Sequence, residues 1–127
     1  MIQAVHHIAI IASDYQLSKK FYTEVLGLEP IREVYRKERN SWKLDLALNG
    51  QYVIELFSFP DPPPRPSQPE ARGLRHLAFA VKNLEQAIHS LEKKGVKADP
   101  IRTDENTGKR FSFFQDPDGL PLELYEQ

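Results

Sequence analysis

The sequence contains no cysteine, which excludes disulfides, thiolate catalysis and sulfur ligands for a metal ion. It also has no excess of either charge, because 17 basic and 18 acidic residues nearly cancel, and this argues against a nucleic-acid partner held through phosphate contacts. No apolar run is long enough to cross a bilayer, and the N-terminus lacks a charged segment followed by an apolar signal region. We therefore expect a cytoplasmic protein without a membrane partner.

One histidine and one glutamate recur about half a chain length apart. His7 and His76 lie in similar apolar segments 69 positions apart, and Glu55 and Glu123 lie in similar segments 68 positions apart. Ionisable side chains within apolar strands are costly unless they are paired or coordinated. The two copies therefore supply four candidate metal ligands.

Each copy is predicted to form a β-α-β-β-β module. The helices follow the N-cap signals Ser13–Asp14 and Asn83, and each ends at a glycine, Gly27 or Gly95. The predicted strands span 7–11, 31–35, 44–48 and 52–58 in the first copy, and 76–81, 96–102, 110–115 and 121–125 in the second.

Six prolines within residues 60–69 separate the copies, and such a segment cannot pair inside a sheet. We interpret it as a stiff, extended connector. At 127 residues the chain is predicted to be one domain, with module 1 at 1–59, a linker at 60–73 and module 2 at 74–127.

Strand alternation places each candidate ligand opposite the core, because residues i and i+2 share a face. His7 shares a face with Ala9 and Ile11, and Glu55 shares one with Val53 and Phe57. His76 and Glu123 occupy the same positions in the second copy. His6 is predicted to face away from His7, and His89 to lie on the solvated side of the second helix.

Two imidazoles and two carboxylates suit a borderline divalent ion such as Zn²⁺, Ni²⁺, Co²⁺, Fe²⁺ or Mn²⁺. The two carboxylates would cancel the charge of the ion. Four protein ligands in an octahedral shell would leave two positions for water or substrate.

At these residues the sequence resembles the vicinal oxygen chelate superfamily, which includes glyoxalase I, extradiol dioxygenases and the bleomycin and fosfomycin resistance proteins. The resemblance extends over nearly the whole chain and is greatest to bacterial glyoxalase I-like proteins. The segments that carry it are His7–Ile10, Phe21–Leu28, Val53–Leu56, Leu74–Phe79 and Asp116–Gly119 leading to Glu123–Leu124.

This resemblance implies an α+β fold of two tandem βαβββ modules, whose curled mixed sheets surround a metal-binding cavity. It also implies that His7, Glu55, His76 and Glu123 hold one divalent ion, with Zn²⁺ or Ni²⁺ foremost and Co²⁺, Mn²⁺ or Fe²⁺ as alternatives. A homodimer is the usual assembly in the family.

The implied activity is that of a glyoxalase I-like lyase or isomerase on a small vicinal-oxygen carbonyl substrate. The ion would stabilise an enediolate as a Lewis acid. Glu123, with Glu55 as its symmetric counterpart, would shuttle a proton between neighbouring carbons.

The sequence departs from glyoxalase I where that family holds glutathione. An arginine and an asparagine of the family correspond to Ile11 and Phe59, so glutathione hemithioacetal is in doubt as the substrate. Aromatic side chains are candidates for lining the cavity, and basic ones are candidates for holding a substrate anion. The aromatic candidates are Phe57, Phe111, Phe113 and Tyr125, and the basic candidates are Arg36, Lys109 and Arg110.

Three other functions remain open. An Fe²⁺ extradiol-type dioxygenase usually has two histidines and one carboxylate as ligands, so Glu55 argues against it. A non-catalytic binding protein of the bleomycin-resistance type lacks the metal ligands that this chain retains. A thiol transferase of the fosfomycin-resistance type has three ligands and a potassium-binding loop, and no such loop is recognisable.

Overall fold

A computed structural model of the chain describes every residue from 1 to 127. The chain divides into two units, Met1–Pro64 and Arg65–Gln127, and the boundary falls within the proline-rich segment. Residues 59–76 contain no helix or strand, as expected for a segment in which many backbone N–H groups are missing. None of the helices has the length and apolarity needed to cross a membrane.

The first unit contains one four-stranded sheet in the order β1-β4-β3-β2. β1 runs parallel to β4, whereas β2, β3 and β4 are antiparallel neighbours. The strands are β1 (Ile8–Ala12), β2 (Glu29–Arg36), β3 (Ser41–Leu48) and β4 (Gln51–Ser58).

The predicted first helix is present, but its first half is α-helical and its second half is π-helical. Asp14 caps it by accepting a hydrogen bond from the Leu17 backbone N–H at 3.1 Å, as the sequence predicted. α1 (Tyr15–Lys20) then continues as a π-helical turn over Phe21–Val25. Gly27 ends the segment with φ +77°, a value that glycine adopts without strain.

The second unit repeats the arrangement with a sheet in the order β5-β8-β7-β6. β5 is parallel to β8, and β7 is antiparallel to both β8 and β6. Asn83 caps the helix by accepting a hydrogen bond from the Gln86 backbone N–H at 2.9 Å. The elements are β5 (Leu77–Val81), α2 (Leu84–Lys93), β6 (Arg102–Thr103), β7 (Arg110–Gln115) and β8 (Pro121–Glu126).

The strand predicted at 96–102 is wrong over most of its length. Only Arg102 and Thr103 pair with β7, opposite Phe111 and Arg110. Asp99 donates one backbone hydrogen bond to the Phe113 carbonyl at 2.8 Å. Pro100 follows with no N–H to donate, so a regular ladder cannot extend through this segment.

The apolar core of each unit lies on the sheet face that the alternation predicted. Ile54 and Leu56 of β4 are buried in the first unit, where α1 contacts β4. Leu122 and Leu124 of β8 are buried in the second, where α2 contacts β7 and β8. The predicted α+β class of two tandem βαβββ modules with mixed sheets is thus confirmed.

Candidate metal centre

The first candidate pair is formed by neighbouring parallel strands. Ala9 of β1 is the register partner of Glu55 in β4, and His7 lies one residue before β1. His7 Nε2 is 3.6 Å from Glu55 Oε1, and the two side chains are 35% and 15% exposed. Both groups lie opposite the buried Ile54 and Leu56, so they are reachable from solvent without being fully solvated.

The second pair is built in the same way. Ala78 of β5 is the register partner of Glu123 in β8, and His76 lies one residue before β5. His76 Nε2 is 3.3 Å from Glu123 Oε1, and these side chains are 27% and 12% exposed.

The structure therefore brings the four predicted ligands together two by two, one pair in each unit. No group of three or more His, Asp and Glu side chains suited to a metal ion is present. Bonds of about 2.1 Å place adjacent donors about 3.0 to 3.4 Å apart around an ion. The separations of 3.6 and 3.3 Å are close to this range, so each pair fits two adjacent positions around a divalent ion.

A polar network that the sequence analysis missed surrounds Glu55. The Tyr52 hydroxyl lies 2.7 Å from Asp45 Oδ1 and 3.1 Å from Glu55 Oε2, so the two carboxylates share its one proton. Lys43 Nζ is 3.3 Å from Glu55 Oε2 and 2.7 Å from Asp45 Oδ1. Arg32 Nη2 donates to Asp45 Oδ2 at 2.6 Å. Tyr52 and Lys43 thus contact Oε2 of Glu55, while Oε1 faces His7.

Asp45 is the centre of this network, and its side chain is fully buried. Burial alone would raise the pKa of its carboxyl group, but hydrogen bonds from Lys43, Tyr52 and Arg32 outweigh it and lower the pKa. Burial and the two carboxylates raise the pKa of Tyr52, which keeps its hydroxyl a donor. A charged residue between the buried Leu44 and Leu46 was the sequence signal for this network.

Two irregularities in strand pairing assemble the network. Between Leu46 and Ala47 of β3 the partner on β4 jumps from Ile54 to Tyr52, so Val53 is an extra residue. Such a bulge places Tyr52 on the Glu55 face, whereas regular alternation would place it on the core face. A second shift, between Pro30 and Arg32 of β2, aligns Arg32 with Asp45.

The surroundings of Glu123 are aromatic instead. Its register partner on β7 is Phe113, whose ring meets the His76 ring edge-on at 5.0 Å. Phe111 faces Tyr125, and these rings stack with centroids 6.4 Å apart. All three aromatic side chains are half-buried. His76 is the only basic side chain within salt-bridge distance of Glu123.

The Nδ1 atoms of the two histidines have different neighbours. His7 Nδ1 lies 2.9 Å from His6 Nδ1, and both rings pack against Tyr52. The prediction that His6 faces away is therefore wrong, because residues 1–7 lie outside β1 and do not follow its alternation. Arg75 Nη1 lies 3.1 Å from His76 Nδ1, and since arginine only donates, Nδ1 accepts and Nε2 carries the proton.

The three basic candidates differ in their partners. Arg110 forms ion pairs with Glu85 and Glu126, both at 2.6 Å, so its charge is already compensated. Lys109 is exposed. Arg36 instead stacks over the Phe57 ring, with its guanidinium carbon 4.8 Å from the ring centroid. His89 is exposed, as predicted.

Comparison with known proteins establishes the family. The model of the Glyoxalase/Bleomycin resistance protein/Dioxygenase superfamily matches residues 4–124. The match extends over almost the whole chain and both His–Glu pairs. The chain belongs to this superfamily, which agrees with the resemblance drawn from the sequence.

Several similar proteins match over almost their full length. The uncharacterized protein YaeR of Escherichia coli (strain K12) is 65% identical over 99% of this chain and 98% of its own. The uncharacterized protein YwkD of Bacillus subtilis (strain 168) is 64% identical over 100% of this chain and 99% of its own. The crystal structure of a glyoxalase family protein from Enterococcus faecalis is 52% identical, covers 98% of both chains and has a TM-score of 0.91.

Two more distant relatives have named activities, each at 31% identity. One is a 2-epi-5-epi-valiolone epimerase from Actinomyces sp, aligned over 95% of this chain and 78% of its own. The other is a lactoylglutathione lyase from Schizosaccharomyces pombe, aligned over 97% of this chain and 47% of its own.

Proposed function

We propose that this protein is a metal-dependent lyase or isomerase of the glyoxalase I type. Its substrate would be a small carbonyl compound with vicinal oxygens, converted through an enediolate. His7, Glu55, His76 and Glu123 would hold one divalent ion, Zn²⁺ or Ni²⁺ foremost. The observation that carries the proposal is the pair of Nε2 and Oε1 donors at the same register position in each unit. A relative named as a lyase and another named as an epimerase support the reaction class.

Within this proposal, Glu123 is the proton-transfer group and Glu55 is the fixed ligand. Tyr52 and Lys43 hold the second oxygen of Glu55, so moving this carboxylate would break two contacts. Glu123 has His76 as its one close basic neighbour and can turn away at a smaller cost. When bound, the ion supplies a Lewis acid for the substrate oxygens. A carboxylate within reach of a carbon-bound proton contributes about 10²- to 10⁴-fold as a general base.

The substrate proposed here is not held as glutathione is held in glyoxalase I. Ile11 is 53% exposed on the His7 face, and it cannot donate a hydrogen bond to a carboxylate. Phe59 stacks on Phe57 with centroids 5.5 Å apart, so this position is also apolar. We therefore favour a small hydroxycarbonyl compound over a peptide thiol adduct.

The test is metal analysis of the purified protein, followed by turnover assays on the chelator-treated form with Ni²⁺, Co²⁺ or Zn²⁺ added back. One assay uses the hemithioacetal of methylglyoxal and glutathione, and a parallel assay uses small α-hydroxyketones without a thiol. We expect a bound divalent ion and metal-dependent isomerisation of a thiol-free substrate. Light scattering on the same sample tests the homodimer that we also propose.

Matched variants separate the ligands from the rest of the surface. His7→Ala and His76→Ala should each lose the metal ion, whereas His89→Ala, on the exposed side of α2, should retain it. A protein that takes up no divalent ion, or that binds it equally well in all three variants, would refute the proposed function.

A further inference from the structure

A cluster of cationic and aromatic side chains lies at the turn end of the β2–β3 hairpin of the first unit. Arg36 ends β2, and Arg39 lies in the 3₁₀ turn that follows. The guanidinium carbon of Arg36 is 4.8 Å from the Phe57 ring centroid and 5.7 Å from that of Phe59. The guanidinium carbon of Arg39 is 5.3 Å from the Phe59 centroid. The two aromatic rings hold both cations against one face of the sheet.

Neither cation is neutralised within the protein. Arg36 and Arg39 have no carboxylate within salt-bridge distance, unlike Arg32 and Lys43 on the same sheet, which both pair with Asp45. Arg36 donates one side-chain hydrogen bond, to Ser41 Oγ at 3.1 Å. Its Nε is buried and has no partner. A guanidinium has five N–H donors and matches the oxygens of a carboxylate or phosphate.

The cluster lies on the same face as Glu55. Phe57 is two residues after Glu55 on β4, and side chains two positions apart share a face and are about 7 Å apart. A small molecule with one end at Glu55 and an anionic group about 7 Å away along β4 would contact Arg36. The Phe57 and Phe59 rings do not require an apolar ligand to cover them, because they already pack against the guanidinium groups of Arg36 and Arg39.

We propose that Arg36 and Arg39 form a subsite for an oxyanion, a carboxylate or phosphate group carried by the substrate. This inference rests on the proposed function for the identity of the substrate, but the anion site itself does not require the metal. It restricts the substrate to acidic hydroxycarbonyl compounds. It also explains how this chain can bind an anion although Ile11 and Phe59 replace the polar glutathione-binding positions.

The test is titration of the metal-free protein with sodium phosphate and, separately, with sodium acetate at constant ionic strength, followed by ¹H–¹⁵N NMR. We expect saturable shifts at Ser41, at Phe57 and at the Arg36 Nε–H signal. Arg36→Gln should weaken binding about tenfold, because a hydrogen bond to a charged group is lost. Arg39→Gln should weaken it about threefold, as expected for an exposed charge.

Arg72→Gln is the matched control, because Arg72 is an exposed arginine of the second unit. The inference is overturned if the shifts do not saturate or if all three variants bind the anions equally. If Arg36→Gln does not fold, Arg39→Gln, at an exposed position, decides alone. Binding of phosphate alone would identify a phosphate subsite, and binding of both anions would identify a general oxyanion subsite. Both results support the inference.

The same titration distinguishes this inference from the proposed function. Phosphate binding at Arg36 in a protein that takes up no metal would retain the subsite and refute the metalloenzyme. Metal-dependent turnover without any response to phosphate or acetate would support the metalloenzyme and overturn the anion subsite. In an active enzyme, Arg36→Gln should raise KM for acidic substrates and leave kcat unchanged, because it binds the substrate away from the reacting carbons.

Discussion

The two His–Glu pairs have the same backbone frame but different surroundings. Both are placed by a parallel strand pair in which an alanine is the register partner of the glutamate. Across the next strand, however, Glu55 faces the buried carboxylate of Asp45, whereas Glu123 faces the ring of Phe113. The strand pair determines where each candidate ligand lies, and the neighbouring strand determines which contacts hold it in place.

The largest difference is expected between the two glutamates themselves. Glu123→Gln should lower kcat by about 10²- to 10⁴-fold, since it removes the proposed proton-transfer group. Glu55→Gln should lower metal affinity more than it lowers the kcat of the loaded enzyme, because we propose Glu55 as the fixed ligand. Steady-state kinetics at saturating metal, with metal affinity measured by competition with a chelator, separates the two effects. Full activity of Glu123→Gln would exclude its assigned role.

The second difference is in stability. Asp45→Asn should lower the free energy of unfolding by about 2 kcal/mol, because the hydrogen bonds from Arg32, Lys43 and Tyr52 to a buried carboxylate lose their charged acceptor. Phe113→Leu, at the equivalent register position, should cost about 1 kcal/mol. Urea denaturation of both variants measures these values, and equal losses would contradict the comparison.

The pH dependence of stability provides a separate check on Asp45. Its pKa is lower in the folded than in the unfolded protein, so its charge stabilises the fold above the unfolded pKa of about 4. This contribution is lost as the pH falls through the folded-state pKa. Unfolding of the unmodified protein should therefore become easier below about pH 4, with a steeper dependence than in Asp45→Asn. Identical pH profiles would show that Asp45 is not held as an anion.

A smaller effect is expected from the hydroxyl that holds Glu55. Tyr52→Phe should weaken metal binding about tenfold, as loss of a group that orients a ligand does. Tyr125→Phe is the control in the second unit, because its hydroxyl contacts Asp104 at 2.9 Å and does not contact Glu123. Isothermal titration with Ni²⁺ or Zn²⁺ measures both, and a similar loss in the control would contradict the assigned role.

The smallest effect concerns Arg75. A metal on His76 Nε2 requires the proton on Nδ1, where Arg75 also presents a donor. Arg75→Gln should therefore strengthen metal binding about threefold, a fraction of the net value of one hydrogen bond. Arg72→Gln should have no effect in the same titration. Weaker binding in Arg75→Gln would show that Arg75 supports the site instead.

Local patterns in the sequence predict most of the fold. The caps Asp14 and Asn83, the alternation along β4 from Ile54 to Phe57 and the alternation along β8 depend only on neighbouring residues, and each was confirmed. The strand predicted at 96–102 was wrong because pairing depends on a partner strand, and Pro100 removes a donor where the ladder would continue.

The two His–Glu pairs could be predicted because their residues recur in both halves of the sequence. The polar network around Glu55 could not be predicted in this way. Tyr52 is three residues from Glu55, so regular alternation assigns it to the core face. The extra residue at Val53 reverses that assignment, and bulges leave no clear mark in hydrophobic periodicity. The role of the four residues as ligands of one ion remains a prediction.

The bulge at Val53 also changes how the two halves of the chain should be aligned. Glu55 is five residues after the turn glycine Gly50, whereas Glu123 is four residues after Gly119. The extra residue in β4 thus accompanies a phenol beside one carboxylate, while the histidine and glutamate positions are equivalent in the two halves. A hairpin of different length can therefore give the two halves of such a duplicated protein different surroundings for the same two side chains.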